Sequence, residues 1–297
     1  MGRGHSGSTM LDAMLGNAPD VESVGELVAG MGRYDDLCSC GETFNNCHFW
    51  KDVRLRYEAA AGVPWGRAVQ DFMQQAHLKY FLKTLTAIPS DDWVQRFRKD
   101  CEYLAKAIGS TDKNIVVDSS KEVTRALFLL RFIPDTKVIQ LVRHPVNVLQ
   151  SHYSRLKKGG GFKFLRYRFT PKRWYGPFLF LSAIGWLVGN LFAEVVRCHG
   201  RKRSLRVRYE DLIAFPEREL ARIEEFIDVS LEIVKKKVRL KKSFNVGHNI
   251  GGNHMRMAGT FRFDPKKAKR KRLPRYYDVM VNIICWPLLW YYGYYGK

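Results

Sequence analysis

The sequence predicts a three-layer α/β fold with a central parallel sheet flanked by helices. Two observations carry this. Three short β-branched runs, Asn114–Asp118, Lys137–Val142 and Ser204–Tyr209, read as buried strands. Each is followed by a helical pattern: Lys121–Phe132, Pro145–Lys157 and Pro216–Ile227. Alternating strands and helices imply parallel strands joined by crossovers, with ligands bound at the strands' carboxyl ends. The loops after Asp118, Val142 and Tyr209 are therefore the places to search for a site.

The elements follow in chain order. Gly2–Thr9 is a glycine-rich loop that opens the apolar helix Met10–Leu15, and a short extended run precedes Glu26. Trp50–Ala107 is helical, punctuated by Pro64 and Pro89, and reads as a cap inserted over the sheet edge. Leu127, Leu130 and Arg131 recur at helical spacing in the helix after the first strand. Pro145 starts the next helix, as proline does at a first helical position. Leu220, Ile223 and Phe226 share one face of the third. Pro177–Ala193 is an uncharged apolar run read as a buried core helix; Val279–Tyr295 is a second, in which Pro287 is expected to break or kink the helix. The chain is expected to be one domain over 1–297, with a helical insertion at about 50–110 and a basic loop plus apolar terminal helix at about 235–297.

Fifty Lys and Arg against 29 Asp and Glu give a net charge of +21. The excess is local. Ser151–Tyr175 holds eight cations and no acid, and Lys235–Arg275 holds fifteen with Asp264 the sole acid, so the rest of the chain is near neutral. Such segments fit a polyanionic partner: nucleic acid, an anionic membrane surface, or a phosphate- or sulfate-bearing ligand. Apolar residues make up 46%, which excludes wholesale disorder. No n-region or apolar h-region opens the chain, which predicts a cytoplasmic protein, or a Golgi one if a signal anchor lies upstream of Met1.

Cys38, Cys40 and Cys47 cluster beside His48. Three thiols and an imidazole can bind zinc, although C-x-C-x6-C-H is not a common finger spacing; a disulfide and plain reduced thiols are the alternatives. Cys101, Cys198 and Cys285 lie in apolar patterns and read as core residues.

Gly2-Arg3-Gly4-His5-Ser6-Gly7-Ser8-Thr9 has the spacing of a phosphate-binding loop, with Ser8 where nucleotide hydrolases carry Lys. Glycines let backbone amides turn toward an anion, and the helix start adds partial positive charge. Arg143, at the end of the second strand, can fork onto a phosphate. Ser151 lies eight residues on, about two turns along the next helix.

With these motifs in order, the chain resembles the sulfotransferases that use 3′-phosphoadenosine 5′-phosphosulfate (PAPS), in the branch near bacterial, carbohydrate and tyrosylprotein enzymes. Gly4–Thr9 (GHSGST) resembles their 5′-phosphosulfate loop, with His5 where the family has Arg or Lys and with no strand ahead of it. Leu141–Arg155 resembles the 3′-phosphate element, Val207–Leu212 (VRYEDL) a strand-loop segment of the superfamily, and Gly252–Gly259 (GNHMRMAG) the loop that closes over the nucleotide. Cys38–Trp50 resembles an element of one bacterial-type branch.

The resemblance implies a P-loop-NTPase-like fold and in-line sulfuryl transfer to a hydroxyl. It implies donor binding by Gly4, His5, Ser6, Gly7, Ser8, Thr9, Arg143, Ser151, Tyr209, Arg256 and Gly259. Glu26 is the expected general base, with Glu22 as fallback; His5 and Lys121 are expected at the sulfuryl group and leaving oxygen. His248 and His254 flank Arg256 as weaker candidates. No metal is expected in the reaction. A carbohydrate or other anionic acceptor suits the basic segments. The rival readings are a P-loop kinase, a nucleotide-binding protein without turnover, and a nucleic-acid binder stacking bases on Phe162, Phe164, Tyr167, Phe169 and Trp174, the last without a supporting motif.

Overall fold

A computed structural model describes residues 1–2, 4–109, 113–157, 172–265 and 273–295. The β-branched runs form two parallel pairs. β1 (Val21–Gly25) lies beside β2 (Ile115–Asp118), and β3 (Val138–Val142) beside β4 (Ser204–Arg208). The register sets Gly25 against Asp118 and Val142 against Arg208, so within each pair the functional loops leave the same edge. β1 is the fourth parallel strand, which the sequence betrays only as an extended run. Among the described residues no ladder joins the two pairs into the single sheet expected. The position beside β3 is held by Met1, whose amine donates to the Ile139 carbonyl (3.0 Å) and whose carbonyl accepts from the Leu141 amide (3.1 Å).

α1 (Ser8–Leu15) packs across both pairs, since Leu11, Met14 and Leu15 share one core with Val21, Leu141 and Val207. α2 (Leu27–Gly30) is a single turn after β1. Three helices then cover the β1–β2 side, α3 (His48–Ala61), α4 (Trp65–Ala76) and α6 (Asp92–Ile108), while α5 (Phe81–Thr86) packs near Val138 of β3. Trp50, Tyr57, Phe72 and Phe97 bury on the β1–β2 side with Phe128 of α7 (Val123–Phe132). α8 (Pro145–Lys157), α9 (Tyr175–His199) and α13 (Arg275–Tyr291) form a third core around Trp186. Between them in sequence come α10 (Tyr209–Ala214), α11 (Pro216–Ile227), α12 (Glu232–Arg239) and a hairpin of β5 (Ser243–Asn245) and β6 (Thr260–Arg262) that the sequence did not announce.

Three expectations need correction. α9 is not a buried core helix: Leu179, Ala183 and Trp186 face inward, but Leu181 is 65% exposed. Among the described residues α9 is the one helix long and apolar enough to cross a membrane, and only a third of its most apolar window is buried. It is uncharged from Tyr175 to Ala193, and α8 and α13 cover one side of it while α7 packs near its end. α13 runs on through Pro287, an interior position at which the missing amide leaves the preceding turn one hydrogen bond short. Cys198 is exposed near the end of α9, whereas Cys101 and Cys285 are buried. The basic segments 158–171 and 266–272, and with them Phe162, Phe164, Tyr167 and Phe169, lie outside the described residues.

Candidate active site

The glycine loop turns through two left-handed residues, His5 (φ 67°) and Gly7 (φ 97°), before α1 begins. The first helical hydrogen bonds come from Met10 and Leu11, both onto the Gly7 carbonyl, so the preceding amides of Ser8 and Thr9 belong to the open helix end. Gly7 is demanded by its neighbour as well as its φ: a Cβ there would lie 2.5 Å from the Tyr209 ring. At Gly4 a Cβ would meet nothing within 4 Å. Ser6 is buried, and its hydroxyl has no hydrogen-bond partner among the described residues. A buried hydroxyl in that state suits a loop built to receive an anion's oxygens.

The loops after β3 and β4 complete one side. Arg143, 3% exposed, donates from Nη1 to the His5 carbonyl (3.0 Å) and lies 4.2 Å above the Tyr209 ring. Tyr209 is thereby held between the glycine loop and the guanidinium, as the first residue of α10. Its neighbour Glu210 accepts from the His144 amide (3.1 Å) and the Asn147 side chain (3.0 Å), which pins the start of α8. Burial pushes the His144 imidazole down, against the raising field of Glu210. Ser151 is buried two turns along α8, its hydroxyl on the Asn147 carbonyl of its own helix (3.4 Å). The His5 ring meets His152 edge-on, centroids 4.9 Å apart.

The other side gathers the chemistry. Glu26 caps α2, and its carboxylate takes an ion pair from Lys121. The loop after β2 fixes both groups. Asp118 Oδ1 accepts from the Leu27 amide (3.3 Å) and the Ser120 amide (2.8 Å), and Ser120 Oγ accepts from the Val28 amide (3.1 Å). Arg125 braces Asp118 from below, Nε to Oδ2 at 3.2 Å. Burial pushes the Lys121 ammonium down to about 8, with Glu122 and Asp12 opposing. The Ser119 hydroxyl is a second buried group without a partner among the described residues.

The loop beginning at Gly252 was expected to close over the nucleotide, but sequence reasoning missed how it approaches β1 and Glu26. The segment after the hairpin's first strand folds back on β1: the Glu26 amide donates to the Ile250 carbonyl (2.8 Å) and the Ile250 amide to the Val24 carbonyl (3.1 Å). A Cβ on Gly252 would lie 3.2 Å from both Glu26 Oε1 and Thr9 Oγ1, and the Asn253 amide approaches Thr9 Oγ1 at 3.4 Å. Gly251 and Gly252, both left-handed, are the signal that could have found this approach. Beneath it lies Asp12, 2% exposed on α1, with Oδ2 accepting from Ser23 Oγ (2.8 Å) and Asn249 Nδ2 (2.6 Å). Burial raises its carboxyl to about 7 against those two hydrogen bonds.

Three named residues stand apart from these groups. Arg256 donates to the carbonyls of Leu37 (2.6 Å) and Asn249 (3.3 Å), which places it with the cysteine loop; burial holds its guanidinium below its usual range. Gly259 ends the turn His254–Ala258 and gives its carbonyl to the Val246 amide (3.0 Å). Glu22 pairs with Lys113 (2.9 Å).

Residues 1–232 match the sequence model of the Sulfotransferase family. Among solved structures, the sulfotransferase domain from the Synechococcus PCC 7002 olefin synthase is similar over 97% of this chain and 92% of its own. Its identity is 20% and the TM-score 0.50. The sulfotransferase domain from the curacin biosynthetic pathway is similar over 95% and 93%, at 17% identity and a TM-score of 0.47. No curated protein matches the chain.

Proposed function

Because the chain belongs to the sulfotransferase family, we propose that it moves the sulfuryl group of PAPS to an acceptor hydroxyl, with Glu26 as general base. The observation that carries this reading is the meeting of the Glu26 carboxylate, the Lys121 ammonium and the Thr9 hydroxyl under Gly252, at the helix end of the glycine loop. A new S–O bond forms to the acceptor oxygen as the bond from sulfur to the bridging oxygen breaks. The electron pair leaves on the 5′-phosphate, and the acceptor proton passes to Glu26. Donors of the loop and Lys121 offset charge on the sulfuryl and leaving oxygens, as positioned dipoles and cations do in phosphoryl transfer.

The ion pair between Glu26 and Lys121 gives the cycle an order. Anionic sulfuryl oxygens compete for Lys121 as the donor enters. Drawing Lys121 away frees the Glu26 carboxylate oxygen to accept the acceptor proton as the reacting group arrives. Arg143, with Tyr209 beneath it, suits the donor's 3′-phosphate, and His5 stands at the loop position nearest that side. The test is transfer of labelled sulfate from PAPS across hydroxyl acceptors. Glu26→Gln should lower kcat by about 10²–10⁴ while PAPS binding, read by calorimetry, is retained. Transfer at the parent rate would remove Glu26 from the role.

We also infer an anionic membrane surface as a partner. α9 and α13 run parallel: Gly176 lies by the Tyr277 ring, and Arg197 donates to the Tyr291 hydroxyl (2.9 Å) at the other end. Leu181, Leu191, Ile283, Trp286 and Trp290 leave this helix pair exposed. The basic sequences 158–171 and 266–272 lead into the same ends of these two helices. Apolar side chains with Trp beside clustered cations suit the interface of an anionic bilayer, and acceptors carried there would be within reach.

A further inference from the structure

Cys38, Cys40 and Cys47 lie in the loop between α2 and α3, and His248 reaches them from the segment after β5. One ligand atom from each lies within 4.8 Å of every other. Cys47 Sγ is 3.3 Å and Cys38 Sγ 3.9 Å from His248 Nδ1, and Cys40 Sγ is 3.6 Å from Cys47 Sγ. A tetrahedral zinc centre, with Zn–S near 2.3 Å and Zn–N near 2.0–2.1 Å, sets sulfurs about 3.8 Å apart and sulfur and nitrogen about 3.5 Å apart. The two sulfur–nitrogen separations, 3.3 and 3.9 Å, bracket their value, and the sulfur–sulfur separation of 3.6 Å lies just under its own. A disulfide needs sulfurs at about 2.05 Å, far inside the 3.6 Å between Cys40 and Cys47.

We propose that Cys38, Cys40, Cys47 and His248 form a structural site for a tetrahedral, thiolate-seeking divalent cation, zinc by its ligand set. The imidazole is already aimed. Its ring stacks on Phe49 (5.1 Å, 7°), meets His48 edge-on (4.7 Å), and its backbone carbonyl accepts from Trp50 Nε1 (2.8 Å). His48, adjacent in sequence, is thus a wall of the site and His248 the fourth ligand. Between Cys38 and Cys40 the chain makes a tight turn, with the Gly41 amide on the Cys38 carbonyl (3.0 Å) and Gly41 left-handed at φ 95°. Four protein ligands leave no open position, the mark of a structural centre rather than a catalytic one. Its work is to staple two distant segments. Ser39 already exchanges hydrogen bonds with Asn249 and Gly247, and the stapled strand continues to Ile250 and Gly252 against Glu26.

The test is metal content of the full chain, produced without a polyhistidine tag and reduced. One equivalent of zinc per chain is expected, lost in His248→Ala and in the Cys38→Ser/Cys40→Ser double variant. It should be retained in His248→Cys, which rebuilds a four-ligand set. Cobalt(II) added to the metal-stripped wild type should give a thiolate charge-transfer band and the intense visible bands of a tetrahedral site. The same zinc content in wild type and His248→Ala would overturn the assignment. So would a wild type that yields neither zinc nor the cobalt spectrum, or a mapped Cys40–Cys47 disulfide. The cobalt experiment needs no variant, so misfolding of the substituted chains leaves it decisive. It also reads the site independently of sulfuryl transfer.

Discussion

Lys121 and Asp12 show how burial turns single residues into pH-dependent ones. Lys121 titrates near 8 because its ammonium is desolvated. If that cation offsets sulfuryl charge, kcat/KM should fall as pH rises through about 8. Lys121→Arg keeps its charge over that range and should lose the limb, whereas Lys121→Ala should lower kcat by about 10²–10³. An unchanged alkaline limb in the Arg variant would assign it elsewhere. Asp12 works through stability. Its carboxyl rises from 3.8 to about 7 on folding, so between those values the native state holds a proton that the unfolded chain releases. Stability therefore falls as pH rises from about 4 to 7, and the cost is complete above 7. Asp12→Asn cannot ionise. Urea denaturation should find it no better than wild type at pH 4, and more stable at pH 8 by an amount of order 1–4 kcal/mol. A difference independent of pH would exclude Asp12 as the source. Glu26 and Lys121 were legible because each follows a strand. Asp12 was not, because an acid in an apolar helix acquires meaning only from Ser23 and Asn249, brought to it by the fold.

Among elements, the glycine loop separates structural need from ligand space. Gly7→Ala must displace the Tyr209 ring and adopt a left-handed φ, so it should lower the melting temperature by several degrees and disorder the loop. Gly4→Ala meets open space, so its melting temperature should match the parent's. If the donor fills that space, PAPS affinity falls in Gly4→Ala without loss of stability, as calorimetry would read; unchanged affinity would place the donor elsewhere. The segment Val207–Leu212 stood out in sequence only by resemblance, and its physical role is now specific. Arg208 and Asp211 lock each other in a two-bond ion pair (both 2.7 Å), which frees Tyr209 for the loop and Glu210 for α8. Helices α8 and α11 were legible to the residue, since proline starts each. The β5–β6 hairpin was not, having three residues per strand and no period to read.

Over the whole molecule, the charge of +21 gains a direction. Parts of its two concentrated segments, 158–171 and 266–272, directly precede in sequence the parallel helices α9 and α13, on whose exposed face Trp286 is 59% and Trp290 68% accessible. Sedimentation with vesicles should show binding to phosphatidylserine-containing bilayers, weakened by salt and by Trp286→Ser/Trp290→Ser, and little binding to neutral ones. Equal binding to both would remove the anionic surface as partner. The α/β class was readable because buried parallel strands and helices differ in period. That α9 would be half exposed was not, because an apolar sequence looks the same in a core and at an interface.

The separation of the strands into two pairs has a consequence for how the molecule holds together. Among the described residues the halves share no ladder, and two helices, α1 and α7, pack in the cores of both. α1 starts at the glycine loop and carries the Asp12–Ser23–Asn249 knot at its middle. A donor seated on the loop would touch groups from β1, β2, β3 and β4 together. It would tie the two pairs through polar contacts as well as through their shared cores, so that amide exchange would slow in the far strands as well as at the loop.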